Sequence, residues 1–184
     1  METNTKTFPK ILYVIIIAIL GLMYYYAAYI DTPEAEKTVQ NFYNAYFEKD
    51  YETVAENLSV FWSIQFLPEY HNLSPAEIIA ERENIEKDIA LIISEIEKDT
   101  KYPEDLKIVI NPTLTKMTEN SALVAYTFEE KGETSGMEVA ILIKEKGTYR
   151  IYNLSPANPS DIENIDQKAM QTLDENFKGL LEQE

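Results

Sequence analysis

The chain is 184 residues long, 45% of them apolar, with 16 Lys plus Arg against 32 Asp plus Glu, a formal charge of −16 and no cysteine. That composition excludes a wholly disordered polypeptide, disulfide frameworks, thiol nucleophiles and zinc knuckles. It also argues against nucleic acid as a partner, because such binding draws on Lys and Arg neutralising phosphates.

Residues 11–30 read ILYVIIIAILGLMYYYAAYI, a run without a charge. At about 1.5 Å of rise per residue, a helix of this length covers the roughly 30 Å of hydrocarbon in a bilayer. The expectation is a transmembrane helix over 11–30 that takes membrane lipid as its partner, after a cytoplasmic leader over 1–10. Tyr24, Tyr25, Tyr26 and Tyr29 crowd the far end where amphipathic rings favour the headgroup layer, and Lys6 and Lys10 hold the leader inside. Cleavage needs small residues three and one positions before the cut, and Tyr26, Ala27, Ala28, Tyr29 offers no pair at that spacing. The run is therefore read as a retained signal-anchor of a single-pass protein at the cell membrane, its amino terminus cytoplasmic and its remaining domain extracytoplasmic.

Beyond the run, Asp31 with Glu34 opens a helix carrying Val39, Phe42, Tyr43, Tyr46 and Phe47 on one broad aromatic face. Asp50 caps a second, short helix through Tyr51, Val54 and Leu58, ended by Asn57 and Ser59. The aromatic and β-branched stretch from Val60 to Tyr70 reads as a short strand or a buried turn. Ser74, Pro75 and Glu77 make a capping box with proline at the first helical position, opening a long helix to about Asp99. Along it Ile78, Arg82, Ile85, Ile89, Ile92 and Ile96, widened by Ile79 and Ile93, form a stripe suited to packing on a sheet or to a self-association seam. Arg82, within the stripe, is placed to snorkel or to pair with a carboxylate.

From Leu106 the apolar period changes to two. Strands are expected over Leu106 to Ile110, interrupted at Pro112 and resumed from Leu114 to Met117, then over Ala122 to Phe128, Met137 to Ile143 and Tyr149 to Leu154. Glu145, Lys146 and Gly147 form a tight hairpin between the last two. After the spacer Pro156 to Pro159, Ser160 with Glu163 opens an amphipathic helix through Ile162, Ile165, Ala169, Leu173, Phe177 and Leu180, expected to pack on the same domain.

The corner Phe42-Tyr43-Asn44-Ala45-Tyr46-Phe47-Glu48-Lys49-Asp50-Tyr51-Glu52-Thr53-Val54-Ala55, followed by an aromatic segment, a helix and a strand meander, resembles the nuclear-transport-factor-two-like, SnoaL-like (cystatin-like cone) superfamily over about Thr32 to Ser155. The resemblance implies an α+β fold in which helices pack on a curved antiparallel sheet and leave a cone-shaped pocket. The domain plan is then the leader, the transmembrane helix, a cone-fold domain over 31–157 and a C-terminal amphipathic helix over 158–184. In enzymes of that superfamily a carboxylate or His in the cone moves a proton while Tyr or Asp steadies an oxyanion. Trp62, Tyr70, His71, Tyr126 and Tyr152, with Asp50, are the residues placed to line such a pocket here.

His71 is the one histidine. One His and no Cys exclude the usual zinc sets, and the five glycines form no phosphate loop, so no metal, cofactor or catalytic residue is assigned. The acidic residues are read mostly as solvated helix faces, and Asn57-Leu58-Ser59, Asn72-Leu73-Ser74 and Asn153-Leu154-Ser155 fit the glycosylation tripeptide, with proline after the last two. The expected function is a membrane-anchored extracytoplasmic binding domain that contacts a partner protein, a second copy of itself or a small ligand. The alternatives are a SnoaL-like pocket enzyme or carrier, and a scaffold subunit of a secretion or conjugation assembly.

Overall fold

The computed structural model describes residues 10–29 and 33–182, with the side chains of the first helix given for Tyr13 and residues 15–23. The chain divides into two compact units, Met1–Pro33 and Glu34–Glu184. In the first, α1 is Lys10–Tyr29. The expected membrane-spanning helix is corrected here: among the described residues no helix is long and apolar enough to cross a membrane. Asp31, the expected cap of the next helix, lies outside the described residues.

The second unit is α+β, with helices on both faces of an antiparallel sheet. Its strands are β1 (Lys107–Ile110), β2 (Lys116–Met117), β3 (Ser121–Glu130), β4 (Glu133–Glu145) and β5 (Thr148–Pro156). The order is β1-β3-β4-β5, and β2 pairs with β3 beyond the interruption at Pro112. Both long hairpins turn on two residues with positive φ, Lys131-Gly132 (52° and 81°) and Lys146-Gly147 (48° and 88°). That pairing matches the right-handed twist of the strands, and glycine takes the second position without the Cβ clash of other residues.

The outer rim of β5 is occupied: Thr38 Oγ1 donates to the Tyr149 carbonyl (3.1 Å) and Ser59 N to the Ile151 carbonyl (2.8 Å). A bulge sets the strand's register, since Ile141 faces Asn153 and Leu142 faces Ile151, leaving Tyr152 as the extra residue. Tyr152 then packs edge-on against Phe177, ring centroids 5.0 Å apart.

On the inner face of the sheet lie α2 (Glu34–Glu48), α3 (Tyr51–Asn57), α4 (Val60–Ser63), α5 (Pro75–Ala80) and α6 (Arg82–Ile96). The aromatic face of α2 is used as its spacing requires, with Val39, Phe42 and Tyr43 buried together with Ala122, Val124 and Tyr126 of β3. Lys49 takes φ 61° at the corner, and Asp50 then accepts from Thr53 N (3.2 Å) to start α3.

Three expectations change in this layer. Of the short strand or buried turn expected over Val60 to Tyr70, no strand forms: the stretch is α4 followed by the 3-10 turns Ile64–Phe66 and Pro68–Tyr70, because the Ser59 hydroxyl accepts from Phe61 N (3.2 Å) and its carbonyl from Trp62 N and Ser63 N. The capping box at Ser74 is complete, with Glu77 N donating to Ser74 Oγ (3.4 Å) and Ser74 N to Glu77 Oε2 (2.8 Å), but the long helix breaks at Glu81 (φ −82°, ψ 10°) into α5 and α6. The isoleucine stripe is also shorter than its pattern, because Ile78, Ile85, Ile89 and Ile93 are buried whereas Ile96 is 69% exposed.

The outer face of the sheet is covered by α7 (Pro159–Glu163) and α8 (Gln167–Leu181), which bring Ile162 and Met170 onto Leu114, Leu123, Ala125 and Val139. The terminal helix therefore belongs to the same unit as the sheet, and it starts later than expected. Ser160 sits inside the short α7, and the cap of α8 is Asp166, which accepts from Ala169 N (2.8 Å). Asp174 fastens α8 to the β2–β3 turn by accepting from Thr118 Oγ1, Asn120 N (2.6 Å) and Asn120 Nδ2 (3.2 Å).

Candidate functional site

A cleft of about 410 Å³ opens between the inner helices and the sheet. Four elements build its walls. Phe42, Tyr43 and Tyr46 come from α2 and Val54 from α3, while Trp62 projects from the helical turn that Ser59 starts. The other wall is Ile89, Ile92 and Ile93 of α6, and the floor is Phe128 and Leu154 of the sheet. Phe66 (48% exposed) and Ile96 (69% exposed) stand among the lining residues and reach solvent, so the mouth is apolar as well.

Two carboxylates complete the lining, Glu97 and Glu138. Glu138 stands directly opposite Tyr126 across the β3–β4 ladder. Tyr126 donates its hydroxyl hydrogen to Glu138 Oε2 (2.8 Å), which leaves the 2.6 Å contact between the Tyr43 and Tyr126 hydroxyls to be donated by Tyr43. A relay Tyr43, Tyr126, Glu138 results, with each proton committed toward the carboxylate. Burial pushes both phenols well above their usual range, so they stay protonated.

Glu97 follows the C-terminus of α6 and accepts from two more tyrosines, Tyr46 on Oε1 and Tyr102 on Oε2, both at 2.7 Å. These hydrogen bonds, from Tyr102 first and then Tyr46, hold the Glu97 carboxyl below the usual range, with Lys49 adding the weakest contribution. Neither Glu97 nor Glu138 forms an ion pair among the described residues. The indole N–H of Trp62 makes no hydrogen bond among them either.

Of the side chains expected to line a pocket, Trp62 does so, and Tyr126 reaches the cleft through Tyr43. Tyr70 instead donates to Asp88 Oδ2 (2.7 Å), a hydrogen bond that with burial raises its hydroxyl to about 12. His71 Nε2 lies 2.8 Å from the Ile64 carbonyl on an exposed turn, Tyr152 faces Phe177, and Asp50 serves as the α3 cap. Asn57 is buried and donates to the Thr53 carbonyl (2.7 Å), which closes that glycosylation tripeptide.

No protein-family model, curated protein or solved structure matches the chain. The cleft is thus argued from its own chemistry. Glu97 and Glu138 escaped a reading that treated acidic residues as solvated faces. For Glu138 a signal was present, since β4 alternates apolar residues on Met137, Val139, Ile141 and Ile143, so Glu138 falls on the face shared with the buried Ala140 and Leu142.

Proposed function

We propose that the second unit is a binding module that takes a small, largely apolar ligand into the cleft between α2, α4, α6 and the sheet. The observation that supports this reading most is the size and lining of the cleft. Its volume falls in the range of small-molecule sites, and a few polar groups converge in an otherwise apolar wall. The resemblance of Phe42 to Ala55 to a superfamily with a pocket between first helix and sheet lends further support. The one histidine lies on a turn away from the cleft, which favours binding over imidazole-driven proton transfer.

Trp62 is the only tryptophan and lines the cleft, so its emission is a direct reporter. Titrating the purified full chain with N-phenyl-1-naphthylamine, a neutral apolar fluorophore, is expected to quench Trp62 saturably and brighten the probe. The half-buried Ile92 offers a control: Ile92→Trp narrows the cleft and is expected to weaken binding with an unchanged circular dichroism spectrum. A non-saturable response of the native chain, or equal binding by the folded variant, overturns the reading.

A further inference from the structure

The polar atoms that reach the cleft are nearly all acceptors. The Tyr43 hydroxyl donates its hydrogen bond to Tyr126, and the Tyr46 hydroxyl donates its own to Glu97. What these groups still offer is oxygen lone pairs, joined by the unfilled lone pairs of Glu97 and Glu138. The neutral indole N–H of Trp62 is the lone uncommitted side-chain donor among the described lining residues. Among the described residues no Lys or Arg lines the cleft, and two carboxylates do.

The rings of Phe42, Tyr43, Tyr46, Trp62 and Phe128 add aromatic lining, and ring faces attract positive charge. An anion entering this space would meet two like charges and give up water for almost no donors. A cation would supply the ion-pair partner that neither carboxylate has among the described residues. Charge complementarity and the apolar walls therefore select the same kind of occupant.

We propose that the cleft selects a small organic cation, an ammonium group carried on an apolar body, over the neutral and anionic molecules of the same shape. This rests on the reading that the cleft binds a ligand at all. The amine end sits between Glu97 and Glu138, and the body lies against the α6 isoleucines and Trp62.

The test is a matched series with one apolar body and three head groups: 4-phenylbutyltrimethylammonium, 4-phenylbutanol and 4-phenylbutyrate, each displacing N-phenyl-1-naphthylamine from the full chain. The cation is expected to bind at least about tenfold more tightly than the carboxylate, with the alcohol between them. Combining Glu97→Gln with Glu138→Gln is expected to bring the three within about threefold of one another, because glutamine removes the charge at nearly the same volume. Equal affinities for cation and carboxylate in the native chain overturn the proposal. So does a preference that survives the double variant, since the overall charge of −16 would then be its source. Failure of the naphthylamine and the alcohol to bind at all instead overturns the binding reading itself.

Discussion

At the hairpin end of β4, Glu145 is enclosed with Arg82 and accepts from Ser59 Oγ (2.5 Å), while Arg82 also reaches Glu86 (2.9 Å). Nearer the other end of the same strand, Glu138 meets a tyrosine hydroxyl but no cation among the described residues. Burial separates them further, since Glu145 is 2% exposed and Glu138 half-buried. A carboxylate removed from water is tolerated only when a partner and hydrogen bonds replace its hydration. One end of β4 therefore has its countercharge built in, and the other remains open to one from outside.

The strongest challenge to this contrast is Arg82→Leu. It strands a buried carboxylate, and the expected loss is about 3–5 kcal/mol in urea unfolding, largely recovered in the double variant with Glu145→Leu. A loss below about 1 kcal/mol would show that Glu145 is not enclosed as described. Asp174 probes a third carboxylate, held by hydrogen bonds alone. Asp174→Ala is expected to cost about 1–3 kcal/mol and to speed amide exchange in α8 before the sheet.

The same group carries a pH signature. Burial works against its charge, but hydrogen bonds from Thr118, Asn120 and Ser121 outweigh it and hold the carboxyl below the usual range. A depressed folded value stabilises the fold above the unfolded pKa of about 3.9 and is lost as pH falls through the folded value. Exchange protection of α8 is therefore expected to fall below about pH 4 in the native chain, with Asp174→Ala contributing no such step.

Ser74→Ala, which removes the capping box of α5, is expected to cost about 1 kcal/mol by the same unfolding assay. The smallest effect sharpens the comparison most. Glu138→Gln, which keeps the acceptor for Tyr126, is expected to change stability by less than about 0.5 kcal/mol, because no cation is stranded. A loss matching that of Arg82→Leu would mean that Glu138 has a countercharge after all.

Much of the layer order was legible because local chemistry and tertiary packing agree. The Asp50 cap, the Ser74 capping box, the alternation in the strands and the Lys146-Gly147 turn each answer to a rule spanning a few residues. The helical turns after Ser59 were hidden because Val60 to Tyr70 is rich in aromatic and β-branched residues and no Gly, Asn or Asp punctuates it. The break at Glu81 has no proline or glycine to mark it. Asp166 rather than Ser160 caps α8, a choice settled by how α7 meets the outer sheet face. The run at 11–30 was judged by its length, its hydropathy and its flanking Tyr and Lys residues, and among the described residues no helix long and apolar enough for a span is found.

The candidate site was less visible than the fold. Trp62 and Tyr126 stood out as aromatic residues, but Glu97 became significant only once the fold brought Tyr46 of α2 beside it, and Glu138 once Tyr126 on the paired strand linked it to Tyr43 of α2. Long-range hydrogen bonding of that kind leaves little trace in a local pattern.

The two lateral rims of the sheet have a consequence for how this protein behaves when crowded. One is cut short at Pro112 between β1 and β2, and along the other the carbonyls of Tyr149 and Ile151 are taken by Thr38 and Ser59. An extended segment arriving along β5 therefore meets two carbonyls already taken, and a covered rim of this kind is one way a sheet limits edge-to-edge pairing.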